Sequence, residues 1–100
     1  MSNRASPDLT ASWKTTLGHL AEARSALPPV PDSGLEGATL ESYDHFLSNN
    51  ELELALEELV DLGMSNHPPK CFWRGLALAA RNMGLAERAQ VLEILAAGEV

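Results

Sequence analysis

The chain has 100 residues, of which 45% are apolar and 21% charged, and a formal net charge of −7. This length suits one domain with a modest core and leaves no room for a large enclosed substrate cavity beside it. No apolar run approaches the roughly 20 residues that span a bilayer. The polar start, residues 1–8, leads into no signal segment, and the single cysteine, Cys71, cannot form an internal disulfide. The expectation is therefore a cytoplasmic protein of one helical domain, 1–100, that meets no membrane.

Residues 1–5 read as a frayed start. Ser6-Pro7-Asp8 then predicts a helix start, with Ser6 as cap, Pro7 in the first turn and Asp8 complementing the helix dipole. Leu9, Trp13, Leu17, Leu20, Arg24 and Leu27 follow at helical spacing, Trp13 being the largest apolar anchor, and Pro28-Pro29 ends the helix. Residues 28–38, rich in Pro and Gly, read as a linker that crosses the surface.

A second helix is predicted over 39–48, with Leu40, Tyr43, Phe46 and Leu47 inward. Asn50 is expected to cap a third helix, with Glu53 completing a capping-box pattern. That helix is expected to run to Leu62 and stop at Gly63, a suitable residue just past a helix end, with a turn over 64–69. A fourth helix should run from about Pro69 to Met83-Gly84, burying Phe72, Trp73, Leu76, Ala79, Ala80 and Met83. A fifth should run from about Leu85 to Ala97 and end at Gly98. Val, Ile and Thr are scarce and nothing alternates with period two, so no strand is expected. The fold class is all-α: a compact bundle of about five helices built from two antiparallel hairpins plus an N-terminal helix.

The two hairpins superpose at an offset of 34 residues, which sets Phe46 on Ala80, Asn50 on Gly84 and Ala55 on Ala89. That offset is the tetratricopeptide length. The second hairpin resembles that repeat more closely, through Trp73, Leu76-Ala77, Gly84, Ala89 and Ala96. In the first, Thr39 stands where the Trp belongs and Asp44 misses the small-residue position. The plainer reading is two ordinary hairpins that both need small residues for close packing.

No catalytic residue is identified. His19, His45 and His67 lie on separate segments, and none pairs with another His or with Cys at a zinc-ligand spacing. Asp44 and His45 are adjacent on a helix and point about 100° apart. Cys71, near the start of the fourth helix, lacks a CxxC partner and reads as a small apolar residue rather than an activated thiol. Phosphate-loop, dinucleotide and nucleophile-elbow motifs are absent. The chain is expected not to be an enzyme and to need no metal or cofactor. A small enzyme using His45 or His67 is the least favoured reading.

Charge is the more informative property. Nine acids and no base lie between Arg24 and Lys70, namely Asp32, Glu36, Glu41, Asp44, Glu51, Glu53, Glu57, Glu58 and Asp61, while the flanks hold five acids and seven bases. Such a field repels nucleic acid and anionic lipid and attracts basic proteins. On a wheel at about 100° per residue, Leu52, Ala55, Leu56, Leu59 and Leu62 form the inner arc of the third helix, with Val60 at its edge. Glu57, Glu58 and Asp61 fall opposite, Glu53 lies on the shoulder, and Leu54 sits among them. An apolar centre ringed by carboxylates has the anatomy of a small interface, although single exposed leucines are common. Arg74 and Arg81 share the outer face of the fourth helix, where they either answer acids of a neighbour or are simply solvated.

The stretch from Tyr43 to Leu59, with Asn50-Glu51 and Leu54-Ala55-Leu56, resembles a signature of small bacterial immunity proteins of polymorphic toxin systems, the Maf-type immunity family. The later Phe72-to-Leu85 segment resembles their closing helix. The similarity covers residues 40–85 and leaves out the Trp-bearing first helix and the linker. It implies a non-catalytic protein that binds a cognate toxin, often a nuclease, and blocks its active site or substrate groove. On that reading the partner-binding residues are Glu41, Asp44, Leu54, Glu57, Glu58 and Asp61. The alternative is a tetratricopeptide-like adaptor that binds a basic protein or peptide between its hairpins.

Overall fold

The structure, a computed structural model, describes residues 7–34 and 37–98, and the side chains from residue 12 onward. The expected frayed start, the Ser6 cap, Glu36 and the side chains of Asp8 and Leu9 lie outside the described residues. Five helices are present: α1 (Pro7–Ser25), α2 (Leu40–Ser48), α3 (Leu52–Asn66), α4 (Lys70–Asn82) and α5 (Ala86–Ala97). Among the described residues there is no strand, and no helix is long and apolar enough to cross a membrane. The all-α bundle of two hairpins and an N-terminal helix is what the sequence led us to expect.

The central element is α4. It packs along α5 on one side and along α1 on another. Phe72, Trp73, Leu76, Ala79 and Ala80 are buried as expected, and so are Gly75 and Ala77. Small residues allow this double coverage. A Cβ built on Gly75 would stand 3.4 Å from both the Ala23 Cβ and the His19 carbonyl oxygen, so the α1 and α4 backbones come close there. On α5, Ala89, Leu92 and Ala96 are the buried residues. The other hairpin is more peripheral: α2 packs on α3 alone among the described helices, and α3 makes lighter contact with α4 and α1.

The buried stripe of α1 is Thr16, Leu20 and Ala23, continued past the helix by Leu27. Trp13, the expected anchor, is instead 40% exposed. The reason lies at the end of α4. Its last residue, Asn82, donates through Nδ2 to the Ser12 carbonyl at 2.7 Å and to Thr16 Oγ1 at 2.8 Å. Nothing of α4 extends further to cover the indole. The same bonds satisfy Thr16, the buried polar residue of this seam.

The linker does more than cross the surface. Asn66 clamps its backbone: Asp32 N–H donates to Asn66 Oδ1, and Asn66 Nδ2 donates to the Asp32 carbonyl, both at 2.9 Å. Gly34 lies directly on α3, where a Cβ would stand 2.6 Å from the Asp61 carbonyl oxygen. Ala38 is buried, and Thr39 Oγ1 then caps α2 by accepting from Ser42 N–H at 3.1 Å.

Two expectations about α3 are corrected. Asn50 does not cap it. Asn50 takes a left-handed conformation, φ 59°, and closes α2. Glu51 N–H donates to the Phe46 carbonyl at 2.9 Å and Asn50 N–H to the Leu47 carbonyl at 3.0 Å, the paired bonds of a Schellman turn. Glu51 therefore holds the N-cap position of α3, with no side-chain cap bond, and the capping box does not form. Nor does α3 stop at Gly63. It runs to Asn66 and ends at His67, φ 48°, ahead of Pro68-Pro69. Gly63 is a buried notch inside the helix. A Cβ there would stand 2.5 Å from Phe72 Cε2 and 2.7 Å from Trp73 Cη2.

The α4–α5 turn repeats the first turn bond for bond. Leu85 N–H donates to the Ala80 carbonyl at 2.9 Å and Gly84 N–H to the Arg81 carbonyl at 3.1 Å, with Gly84 at φ 79°. The N-cap residues that follow share φ and ψ closely, −96° and 74° at Glu51 against −91° and 71° at Leu85. The 34-residue offset is thus real in turn geometry. It does not extend to packing, because α4 takes α1 as a main neighbour whereas α2, among the described helices, packs only on α3.

These notches make a paired prediction. Gly63→Ala should destabilise the fold by about 1–3 kcal/mol, because two ring edges must move. Gly18→Ala, on the exposed face of α1 with nothing within 4 Å of the new Cβ, should stabilise it by about 0.5–1 kcal/mol through helix propensity. Urea midpoints of the two variants should therefore move in opposite directions from wild type.

Candidate functional site

The basic-free segment folds mainly into one structural unit. The α2–α3 hairpin holds seven acids and no base, while the α4–α5 hairpin holds four bases and two acids. Within the acidic hairpin, Glu41 and Asp44 are exposed on α2. Leu54 is 48% exposed on α3. Glu57, Glu58 and Asp61 are only half-exposed, and they do not form one free carboxylate face.

Each has a local environment that sequence reasoning missed. Glu57 turns toward α5 and pairs with Arg88, Oε2 to Nε at 2.7 Å. Glu58 turns toward the start of α2, where its Oε2 accepts from Thr39 N–H at 3.0 Å. It thereby satisfies a backbone donor just ahead of that helix, where negative charge is also favoured by the dipole. Asp61 lies where Gly34 crosses the helix. Glu57 and Glu58, expected among the partner-binding residues, are thus also held within the fold, by Arg88 and by the Thr39 amide. The missed partners Thr39 and Arg88 are 19 and 31 positions away, and nothing in local spacing points to them. Arg81, in turn, answers Glu93 of α5 at 2.9 Å rather than an acid of the middle segment.

The α3–α5 side carries an open groove of about 670 Å³ lined by Glu53, Glu57, Leu85, Glu87, Arg88 and Val91, with Gly84 and Ala86. A second hollow of about 320 Å³ continues from it past Leu52, Met83 and Trp13. The two share Glu53 and Leu85. The lining mixes Leu85, Ala86 and Val91 with three acids, and Arg88 is committed to Glu57. Such a shape suits a protein or peptide surface better than a small molecule, which needs deeper enclosure.

No cluster of three His, Cys, Asp or Glu among the described residues could hold a metal ion. His45 sits beside Asn49 Nδ2 at 3.3 Å and tilts against Phe46. Cys71 is exposed rather than packed as a small apolar residue. Tyr43 is fully buried on α2. Burial pushes its phenol up to about 12, Asp44 adds to the rise, and Arg24 opposes it.

Compared with protein-family models, curated proteins and solved structures, the chain matches none. The resemblance at residues 40–85 therefore rests on its own residues, and most of these have structural work. Asn50 makes the turn, while Ala55 and Leu56 are fully buried. Leu54 alone of the quoted motif is a large apolar residue left half in water.

Two measurements follow. Glu58→Ala should cost about 1 kcal/mol by leaving the Thr39 N–H without its carboxylate, whereas Glu57→Ala, breaking a solvated pair, should cost less than about 0.5 kcal/mol. Denaturant titration separates the two. The Tyr43 phenol has a folded value above its unfolded 10.0. Its contribution to stability is complete below pH 10 and is lost as pH rises toward 12. Loss should total about 3 kcal/mol once the pH passes through that value and can be followed by circular dichroism alongside the ultraviolet absorbance of the single tyrosine.

Proposed function

We propose that this chain is a non-catalytic binding protein of the immunity type, which neutralises a bacterial toxin by docking the α2–α3 hairpin onto the toxin's basic surface. The observation that carries this reading is the segregation of charge by structural unit: seven acids without a base on one hairpin, net positive charge on the other. A nuclease toxin supplies the matching chemistry, because a phosphate-binding groove is basic. Long-range attraction would steer the acidic hairpin there and raise the association rate. Contact area must then come from apolar groups, for which the half-exposed Leu54 is available.

The internal roles of Glu57 and Glu58 shift the burden within this face. Charge reversal at either would perturb the fold as well as a complex. Glu41, Asp44 and Glu53 are exposed and make no ion pair among the described residues, so they and Leu54 are the cleaner probes. Localisation with the toxin in the cytoplasm belongs to the same proposal.

The second reading is a tetratricopeptide-like adaptor, favoured by the identical turn bonds at a spacing of 34. It places the ligand in the α3–α5 groove, where Leu85, Val91 and Trp13 would provide the contacts.

Co-expression with the product of the neighbouring gene tests the first reading. A complex and protection of the host are expected. Leu54→Asp should weaken the complex roughly 10- to 100-fold, and Glu41→Lys with Asp44→Lys should slow association several-fold, with the effect shrinking in high salt. Absence of both complex and protection would sink the idea. Binding that survives these changes but is lost in Val91→Asp would favour the adaptor instead.

A further inference from the structure

The fifth helix is apolar on two sides. Ala89, Leu92 and Ala96 face α4, yet Val91 and Ile94 on the outer side are 48% and 53% exposed. Among the described helices only α4 packs closely on α5; on the flank of the strip Glu87 and Val91 also border the groove toward α3, while Ile94 lies outside that groove's lining. With about 100° per residue, Glu87, Val91, Ile94 and Gly98 form a single outward line. The two ends of the line carry opposite charge. Glu87 stands at the N-terminal end. At the C-terminal end the Lys70 ammonium reaches over Gly98, its Nζ 2.8 Å from the point a Cβ would occupy.

An apolar middle with a negative group at one end and a positive group at the other is complementary to its own copy turned end for end. We propose that the outer face of α5 is the contact between two copies of this chain, packed antiparallel about a two-fold axis. Val91 of each copy lies against Ile94 of the other, and Glu87 of each lies beside Lys70 of the other. The distance fits: the eleven steps from Glu87 to Gly98 span about 16 Å of helix, and the centre of that span falls between Val91 and Ile94. The symmetry also fits, because a two-fold contact must be self-complementary.

Charge elsewhere favours this face over others for self-association. The acids that give the chain its −7 lie mainly on the α2–α3 hairpin, so apposing two such hairpins is opposed, while the α4–α5 hairpin carries four bases and two acids. The strip is short. One helix of 12 residues offers less than the roughly 800 Å² per partner of a standard interface, so the dimer is weak, with a dissociation constant in the tens to hundreds of micromolar.

Sedimentation equilibrium from micromolar to millimolar protein tests this. A monomer–dimer equilibrium is expected. Ile94→Asp should abolish the dimer while leaving the circular dichroism spectrum and urea midpoint near wild type. Glu87→Lys and Lys70→Glu should each weaken the dimer about tenfold, since two solvated attractions become two repulsions, and the double variant should restore it. A wild-type chain that stays monomeric at millimolar concentration overturns the proposal. So does a dimer that persists in Ile94→Asp, or a double charge variant no better than the singles.

Discussion

One joint holds the two hairpins in a single molecule: the rings of Phe72 and Trp73, seated over Gly63. The two rings meet edge to face, with centroids 4.9 Å apart and planes at 86°. Direct contact between α3 and α4 is otherwise light, so the attachment of the acidic hairpin relies on this notch, on α1 bridging to both helices, and on the linker clamp at Asn66. Burial of two aromatic side chains is among the larger single contributions available to a core of this size. It depends on a residue with no side chain at position 63. A glycine inside a helix costs about 1 kcal/mol of propensity, and here the cost is offset by the rings that the notch admits.

The same economy of side chains governs the rest. Where Gly75 faces Ala23, α1 can lie against α4, and where α5 presents Ala89 and Ala96, it packs close on the other flank. Covered on two flanks, α4 still keeps an exposed strip that carries Lys70, Arg74 and Arg81. The outer helices α2 and α5 each rest on one neighbour and keep a free side. That arrangement places the acidic hairpin and the hairpin of net positive charge toward different faces of the molecule. Charge did not shape the fold, but the fold decides where charge is displayed, and a segregated display bears on association more than on stability.

What could be read from the sequence was local. The limits of α4 and α5, the break between α2 and α3, and the buried faces of α3 and α4 follow from periodicity and from turn residues, because those signals act within a few positions. The failures share a cause. Gly63 carries the signature of a helix end, and only the rings of α4 reveal it as a packing notch. Asn50 suits a cap or a left-handed turn equally well, and the Schellman bonds of α2 decide between them. Trp13 sits on the correct stripe of α1, but α4 ends at Asn82 and leaves it half exposed. Glu57 and Glu58 are answered by Arg88 and by the Thr39 amide, from other parts of the chain. In each case the deciding atom is distant in sequence, so no local pattern carries it.

The repeat shows the limit of local likeness most clearly. Two turns 34 residues apart share their hydrogen bonds, their left-handed residue and the dihedral angles of the next cap. Such identity in an array of stacked hairpins would bring like helices side by side. Here α1 occupies a flank of α4, and α2 remains on α3 alone. Turn chemistry fixes how two consecutive helices reverse, but it does not determine which helices meet across the core. That choice is made by where the glycines and alanines lie on α3 and α4. Because those residues admit α1 and the two rings, the hairpins are joined at an interval rather than stacked. The cleft left between α3 and α5, bridged by Glu57 and Arg88, is the geometric consequence.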